Sequence, residues 1–207
     1  CPIGLTQQIE QVGTGAKIKN VEYLVQTDGT ETINRLKFPV VCKHRFGSRN
    51  TGNTLFKTYQ EFDVWRQRKT EDQLTNYIVE QYMNYSREYR VHCTPQGAFY
   101  YCRKALKEQT AEENKWFRND SNSVWFVEEN ENFLRPSNWE EILSHCVQAL
   151  NAVGLDVGAI DLRVQAEKED VSPDYFILET NSAPSFGDIT LQKYLEELPK
   201  LIAFKKQ

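Results

Sequence analysis

No stretch of this sequence approaches the roughly 18 consecutive apolar residues that a membrane-spanning helix requires. Its first residues, CPIGLTQQIE, lack the basic-then-apolar order of a secretory signal. Positive charge is not in excess: 25 Lys and Arg stand against 29 Asp and Glu, a net charge of −4, so no overall basic field points to nucleic acid or an anionic membrane. The 5 cysteines (Cys1, Cys42, Cys93, Cys102, Cys146) are an odd number without a CxxC pair. They point to buried thiols in a reducing compartment, the cytoplasm, rather than to a disulfide framework. The 3 histidines, His44, His92 and His145, fall into no HExxH-like spacing, which argues against a zinc centre. An initiator methionine is also missing, and Cys1 in its place points to a processed or truncated chain.

What is present is a chain of 207 residues, 40% apolar and 26% charged, enough for a core within one or two lobes. Residues 5–12 pattern as a short amphipathic helix, 17–26 as a strand ending at Thr27-Asp28-Gly29, and 31–37 as a second helix. The β-rich run FPVVCKHR, 38–45, leads into a loop of small and amide residues, FGSRNTGNT, 46–54. A charged helix over 60–73 and a strand over 76–83 follow, then a hairpin over 87–107 turning at Pro95-Gln96-Gly97. The polar stretch 109–123 reads as irregular. Ser137 and Glu140 have capping-box spacing, opening a helix whose stripe is Ile142, Leu143, Cys146, Val147 and Leu150 and whose stop is Gly154. Strands over 156–165 and 174–180 flank the acidic turn EKEDVSPD, and a helix over 190–204 follows. Antiparallel hairpins without a βαβ series place the chain in the α+β class.

Three constellations could carry chemistry. Regular alternation puts Tyr175, Ile177, Glu179 and Asn181 on one face of their strand, and Asp161 with Arg163 on one face of theirs. If the two strands pair, Asp161, Glu179 and Asn181 converge as an all-oxygen set. Such a set suits Mg²⁺, which shares its shell with substrate phosphates and so implies a nucleotide. The alternative is that these polar residues are solvated at a strand end or cap the next turn. Lys43 lies in an otherwise apolar strand, where a cation is costly unless it meets an anion. The loop after it, with Ser48, Arg49, Asn50 and Thr51, can offer backbone N–H groups and a guanidinium to phosphates, or can be an ordinary hairpin loop. It has no Walker A pattern. Glu88, Arg90 and His92 share one strand face with Arg103 on the return strand, able to neutralise a triphosphate or carboxylate or simply to face solvent.

In this order the segments FPVVCKHRFGSRNTGNT, VEQYMNYSREYRV, GLDVGAIDLRV and FILETNSAPSF resemble the ATP-grasp superfamily, across residues 5–205. They are nearer to its ribosomal-protein glutamate ligase and D-alanine–D-alanine ligase branches than to its carboxylases. The resemblance implies an α+β ATP-grasp fold, two small lobes with antiparallel sheets enclosing a nucleotide cleft. Residues 1–30 would be a remnant or linker to a missing upstream domain, 31–84 a smaller lobe with the glycine-containing loop, and 85–207 a larger lobe with the magnesium site. By the same resemblance, Lys43 contacts the phosphates and the adenine side, and Gly47, Ser48, Arg49 and Gly52 belong to a loop that closes over the phosphates. Glu80, Gln81, Tyr82 and Met83 form the hinge beside adenine, with backbone groups of Gln81 and Met83 as its partners. Glu88 reaches the ribose, although one extra residue precedes it here, and Arg103 sits by the γ-phosphate and acts in catalysis with Lys43. Asp161, Glu179 and Asn181 are the ligands of Mg²⁺, a pair of ions for which Mn²⁺ can substitute.

The implied function is ATP-dependent ligation of a carboxylate to an amine or thiol through an acyl phosphate, releasing ADP and phosphate. The acceptor would be an amino acid, a peptide or a protein terminus, with no nucleic-acid or membrane partner and the oligomeric state left open. One departure favours a non-catalytic ATP-binding scaffold or regulatory relative as the alternative: the family's earlier phosphate-contacting Lys is absent, since no Lys precedes Lys17. A nucleotidyltransferase would need Lys-x-Asp-Gly, and the Asp28-Gly29 pair has Val25, Gln26 and Thr27 before it.

Overall fold

Val40, Val41 and Cys42 are compact apolar residues suited to a pleated, half-buried surface, and they open strand β1 (Val40–His44). The structure is a computed structural model that describes residues 37–47, 52–166, 168 and 171–205. The elements expected over 5–12 and 17–26, that over 31–37 except its last residue, Cys1, and the site residues Ser48 and Arg49 lie outside the described residues. The described residues pack as two compact units, 37–84 with 106–123 and 85–105 with 124–205.

In the first unit, β1 is the middle strand of an antiparallel sheet between β2 (Thr54–Phe56) and β3 (Tyr77–Gln81). The charged segment expected as one helix is two, α1 (Tyr59–Gln67) and α2 (Glu71–Leu74). The break has a local cause: Thr58 and Thr70 each accept a hydrogen bond from the N3 amide, and Glu61 and Gln73 bond back, so each starts its own helix. Val40, Cys42, Phe56, Phe62 and Val79 form the core, with Phe38, Trp65 and Tyr77 packed against it.

The second unit is built on an antiparallel sheet in the order β6-β5-β4-β7-β8. Its strands are β4 (Arg87–Thr94), β5 (Gly97–Leu106), β6 (Ser123–Val127), β7 (Gly158–Val164) and β8 (Tyr175–Asn181). Helix α3 (Trp139–Ala152) covers one face, burying Ile142, Cys146, Ala149 and Leu150 against Tyr89, Val91, Ile160, Leu162 and Ile177. Ile160 and Leu162 are 0% exposed, each contributing about 1.5–3 kcal/mol by transfer from water. Helix α4 (Asp188–Lys205) meets the opposite face through Tyr194, whose hydroxyl lies 3.0 Å from His92 Nδ1. Among the described residues no helix is long and apolar enough to cross a membrane.

Three local expectations are corrected. The stretch 109–123 is not uniformly irregular: it holds a 3-10 turn (Glu112–Asn114) and ends at the start of β6. Asn138, not Ser137, is the N-cap of α3, and no side-chain hydrogen bond caps it there; Asn138 Nδ2 donates to Pro173 O at 3.1 Å. The expected stop at Gly154 is present, at φ +69°, a backbone that glycine adopts without a Cβ clash.

The third correction bears on function. Tyr175 and Ile177 do not share a face with Glu179 and Asn181. Asp161 pairs with Glu179 and Leu162 with Ile177, so Leu178 is an extra residue in β8, a β-bulge. The bulge turns Tyr175 and Ile177 toward α3 and the core, and sends Glu179 and Asn181 to the other face.

Candidate functional site

In the first unit, alternation along β1 puts Val40 and Cys42 in the core and Lys43 on the other face. Glu80 of β3 sits opposite Val41, on that same face, and its Oε2 lies 2.6 Å from Lys43 Nζ. The side chains are 28% and 11% exposed, so the anion that a lysine in this strand requires is internal. On the core side, burial first and then the nearby Glu80 push the Cys42 thiol up to about 12, too high for a thiolate nucleophile near neutral pH.

The loop after β1 is tied back to His44. Gly47 N donates to His44 O at 2.9 Å, and His44 N donates to Asn53 Oδ1 at 3.1 Å. Gly52 has φ +79°, and a Cβ there would come 3.1 Å from His44 Cβ, so both backbone and space call for glycine. At the end of β3, Gln81 pairs with Val40, and Tyr82 N donates to Pro39 O at 2.9 Å. The Tyr82 amide is therefore committed to the fold; Met83 follows it, half-buried.

In the second unit, the face opposite α3 carries two crossed ion pairs. Arg90 Nε and Nη2 reach Asp161 Oδ1 and Oδ2 at 2.7 and 2.8 Å, a fork on both oxygens. Burial pulls the Arg90 guanidinium down, but the hydrogen bond and charge of Asp161, with Glu179, outweigh it and hold Arg90 above its usual value. Two residues along each strand, on the same face, Arg163 Nε donates to Glu88 Oε2 at 3.0 Å, with side chains 7% and 12% exposed. Asn181 Nδ2 bridges the two carboxylates, 3.2 Å from Asp161 Oδ2 and 3.2 Å from Glu179 Oε1. Nearby, burial, then Arg90, lower His92 to about 4, so its imidazole is neutral at physiological pH.

Asp161, Glu179 and Asn181 are thus brought together, as the strand pairing requires. Among the described residues no three His, Cys, Asp or Glu side chains cluster, so the third donor of this set is an amide. Two carboxylates and an amide suit a hard cation, with the Asn181 side chain turned so that its oxygen points inward.

Arg103 is not with them. It pairs with Tyr89, on the face that carries α3, because the hairpin register sets Arg90 against Cys102. There Arg103 Nη1 donates to Asn132 O at 2.6 Å, and burial holds its guanidinium below its usual range. With Tyr89 Oη and Arg87 Nη1, which donate to Leu134 O, it fixes the segment before α3. Its place on the α3 face corrects the expectation that it shares a face with Glu88, Arg90 and His92. Glu88, expected at a ribose, is engaged by Arg163.

The solved structures that share this architecture include D-alanine–D-alanine ligase from Bacillus anthracis, at TM-score 0.61 and 14% identity over 95% of this chain and 61% of that one. The chain has the ATP-grasp fold. The ATP-grasp ligase PsnB, complexed with a minimal precursor, Mg and ADP, matches 97% of this chain and 56% of its own, at TM-score 0.59 and 14% identity. An L-amino acid ligase from Bacillus licheniformis matches at TM-score 0.55 and 15% identity, over 86% of this chain and 39% of that one. The chain thus spans at most about three-fifths of the ATP-grasp structures it resembles. No family model and no curated protein matches the sequence.

Two neighbours of this carboxylate cluster escaped the sequence. Arg90 was visible only as one cation among several on a strand face; its bidentate hold on Asp161 depends on β4 and β7 being neighbours. Trp125, in the strand β6 that follows the polar stretch, stacks with its ring centroid 5.2 Å from the Arg90 guanidinium carbon and 4.9 Å from Lys104 Nζ. No periodic signal in that segment announced a strand.

Proposed function

We propose that this chain carries the nucleotide-binding and phosphoryl-transfer part of an ATP-dependent carboxylate–amine ligase. The observation that carries the reading is the meeting of Asp161, Glu179 and Asn181 on one sheet face of an ATP-grasp fold. Solved neighbours with that fold have been complexed with ATP or with Mg and ADP. Asp161, Glu179 and Asn181 would hold Mg²⁺, which supplies charge neutralisation for the transferring phosphoryl group. Lys43, positioned by Glu80, contributes a cation to the phosphates, and Gln81 and Met83 offer backbone groups to adenine. The loop bounded by Gly47 and Gly52, including Ser48 and Arg49, covers the phosphates and excludes water that would hydrolyse an acyl phosphate. A carboxylate oxygen attacks the γ-phosphorus, ADP leaves, and an amine displaces phosphate to form the amide. The amine donor is an amino acid or a peptide.

The second reading, a non-catalytic ATP-binding relative, is favoured by one observation: Arg90 holds both oxygens of Asp161. ADP release and thermal shift separate the two. Glu179→Gln is expected to keep the fold and lower Mg-dependent ADP release about 10²- to 10³-fold. Mg·ATP is expected to raise the melting temperature of the unaltered chain, and Lys43→Ala to remove that rise. Undiminished ADP release by Glu179→Gln defeats the cation assignment. A melting shift without ADP release for any carboxylate and amine tested selects the binding-only reading.

A further inference from the structure

We infer that Arg90 couples cation binding to polyphosphate binding, by holding Asp161 until a phosphate anion takes its place; this rests on the function proposed above. A carboxylate has two oxygens, and both are engaged by one guanidinium at 2.7 and 2.8 Å. The pair is well shielded, with side chains 15% and 14% exposed, so water does little to weaken the contact. A second donor, Asn181 Nδ2, also lies on Asp161 Oδ2 at 3.2 Å. A divalent cation arriving alone at Asp161 meets this guanidinium at close range and must displace it or tolerate its charge.

The same fork that fits a carboxylate fits two oxygens of a phosphate. Trp125, with its ring centroid 5.2 Å from the guanidinium carbon, keeps the guanidinium on this face whichever anion it holds. When a polyphosphate takes Arg90, Asp161 is released to the cation, and the cation in turn neutralises the polyphosphate. Each ligand therefore raises the affinity for the other by the same factor. Arg90 is a positioning residue for Asp161 and the anion partner of the polyphosphate.

The test measures binding, not turnover. Mn²⁺ affinity is followed by electron paramagnetic resonance with and without ADP, and ADP affinity is followed in chelator, for the unaltered chain, Arg90→Gln and Arg90→Lys. The Mn·ADP complex in free solution is common to all three and is subtracted. Arg90→Gln is expected to bind Mn²⁺ alone at least tenfold tighter, to bind ADP in chelator at least tenfold weaker, and to lose most of the coupling. Arg90→Lys keeps the charge but cannot fork, so Mn²⁺ alone should tighten at least threefold; this variant carries the test if Arg90→Gln does not fold. Binding of both ligands with Mn²⁺ affinity unchanged or weakened in the folded variants overturns the coupling and leaves the proposed function standing. Absence of both Mn²⁺ and ADP binding in the unaltered chain overturns the proposed function, and the coupling with it.

Discussion

His92 gives a stability prediction whose size follows from its surroundings. The imidazole is 1% exposed, its Nδ1 lies 3.0 Å from Tyr194 Oη, and burial with the nearby Arg90 lowers its pKa from 6.5 to about 4. The fold therefore favours the neutral ring, while the unfolded chain takes up a proton near the ordinary value. Stability is unaffected by this group above pH 6.5, falls as pH drops toward 4, and below that has lost about 3 kcal/mol. At pH 5 the loss attributable to His92 is about 2 kcal/mol. Urea unfolding of the unaltered chain and His92→Gln at pH 7 and pH 5 isolates it, since the carboxylates and His145 contribute to both proteins. The unaltered chain should lose about 2 kcal/mol more than the variant between the two pH values. Equal losses would refute the argument and mean that the imidazole is protonated inside the fold.

Two glycines make simpler tests. A Cβ at Gly158 would lie 2.8 Å from Asn181 O and 3.0 Å from Leu150 Cδ1. Gly158→Ala should cost about 1–3 kcal/mol by overpacking and, by displacing Asn181, weaken Mn²⁺ binding by more than its stability loss alone predicts; an unchanged melting temperature counts against it. Gly52→Ala, at φ +79° and 3.1 Å from His44 Cβ, should cost about 1–2 kcal/mol and reduce the Mg·ATP melting shift, read by thermal denaturation.

Most elements were legible because their signals are local. The hairpin turn at Pro95-Gln96-Gly97 joins β4 to β5, the stripe of Ile142, Cys146 and Leu150 is the buried face of α3, and Gly154 ends that helix. The convergence of Asp161, Glu179 and Asn181 was legible as a consequence of pairing neighbouring strands. What failed depends on parity and on long-range partners. Arg103 faces α3 because the register sets Tyr89, not Arg90, across from it, and a single step of register reverses a side chain. Asn138 stands at the N-cap of α3 without a side-chain cap, and its Nδ2 donates to Pro173 O, 35 residues away. Lys43 was known to need an anion, but Glu80 could not be named before β1 and β3 were paired.

The extra residue in β8 also bears on how long this strand has to be. Asp161 faces Glu179 and Leu162 faces Ile177, with Leu178 between them unmatched. A chain shorter by that one residue would close the gap into a regular ladder with every neighbouring pair unchanged: Ile177 would still enter the core and Glu179 would still meet Asp161. Loss of Thr180 would instead set Asn181 opposite Ile160 and turn its side chain away from Asp161. Leu178 is thus a point where the chain can shorten without moving its chemistry, two positions from one where it cannot.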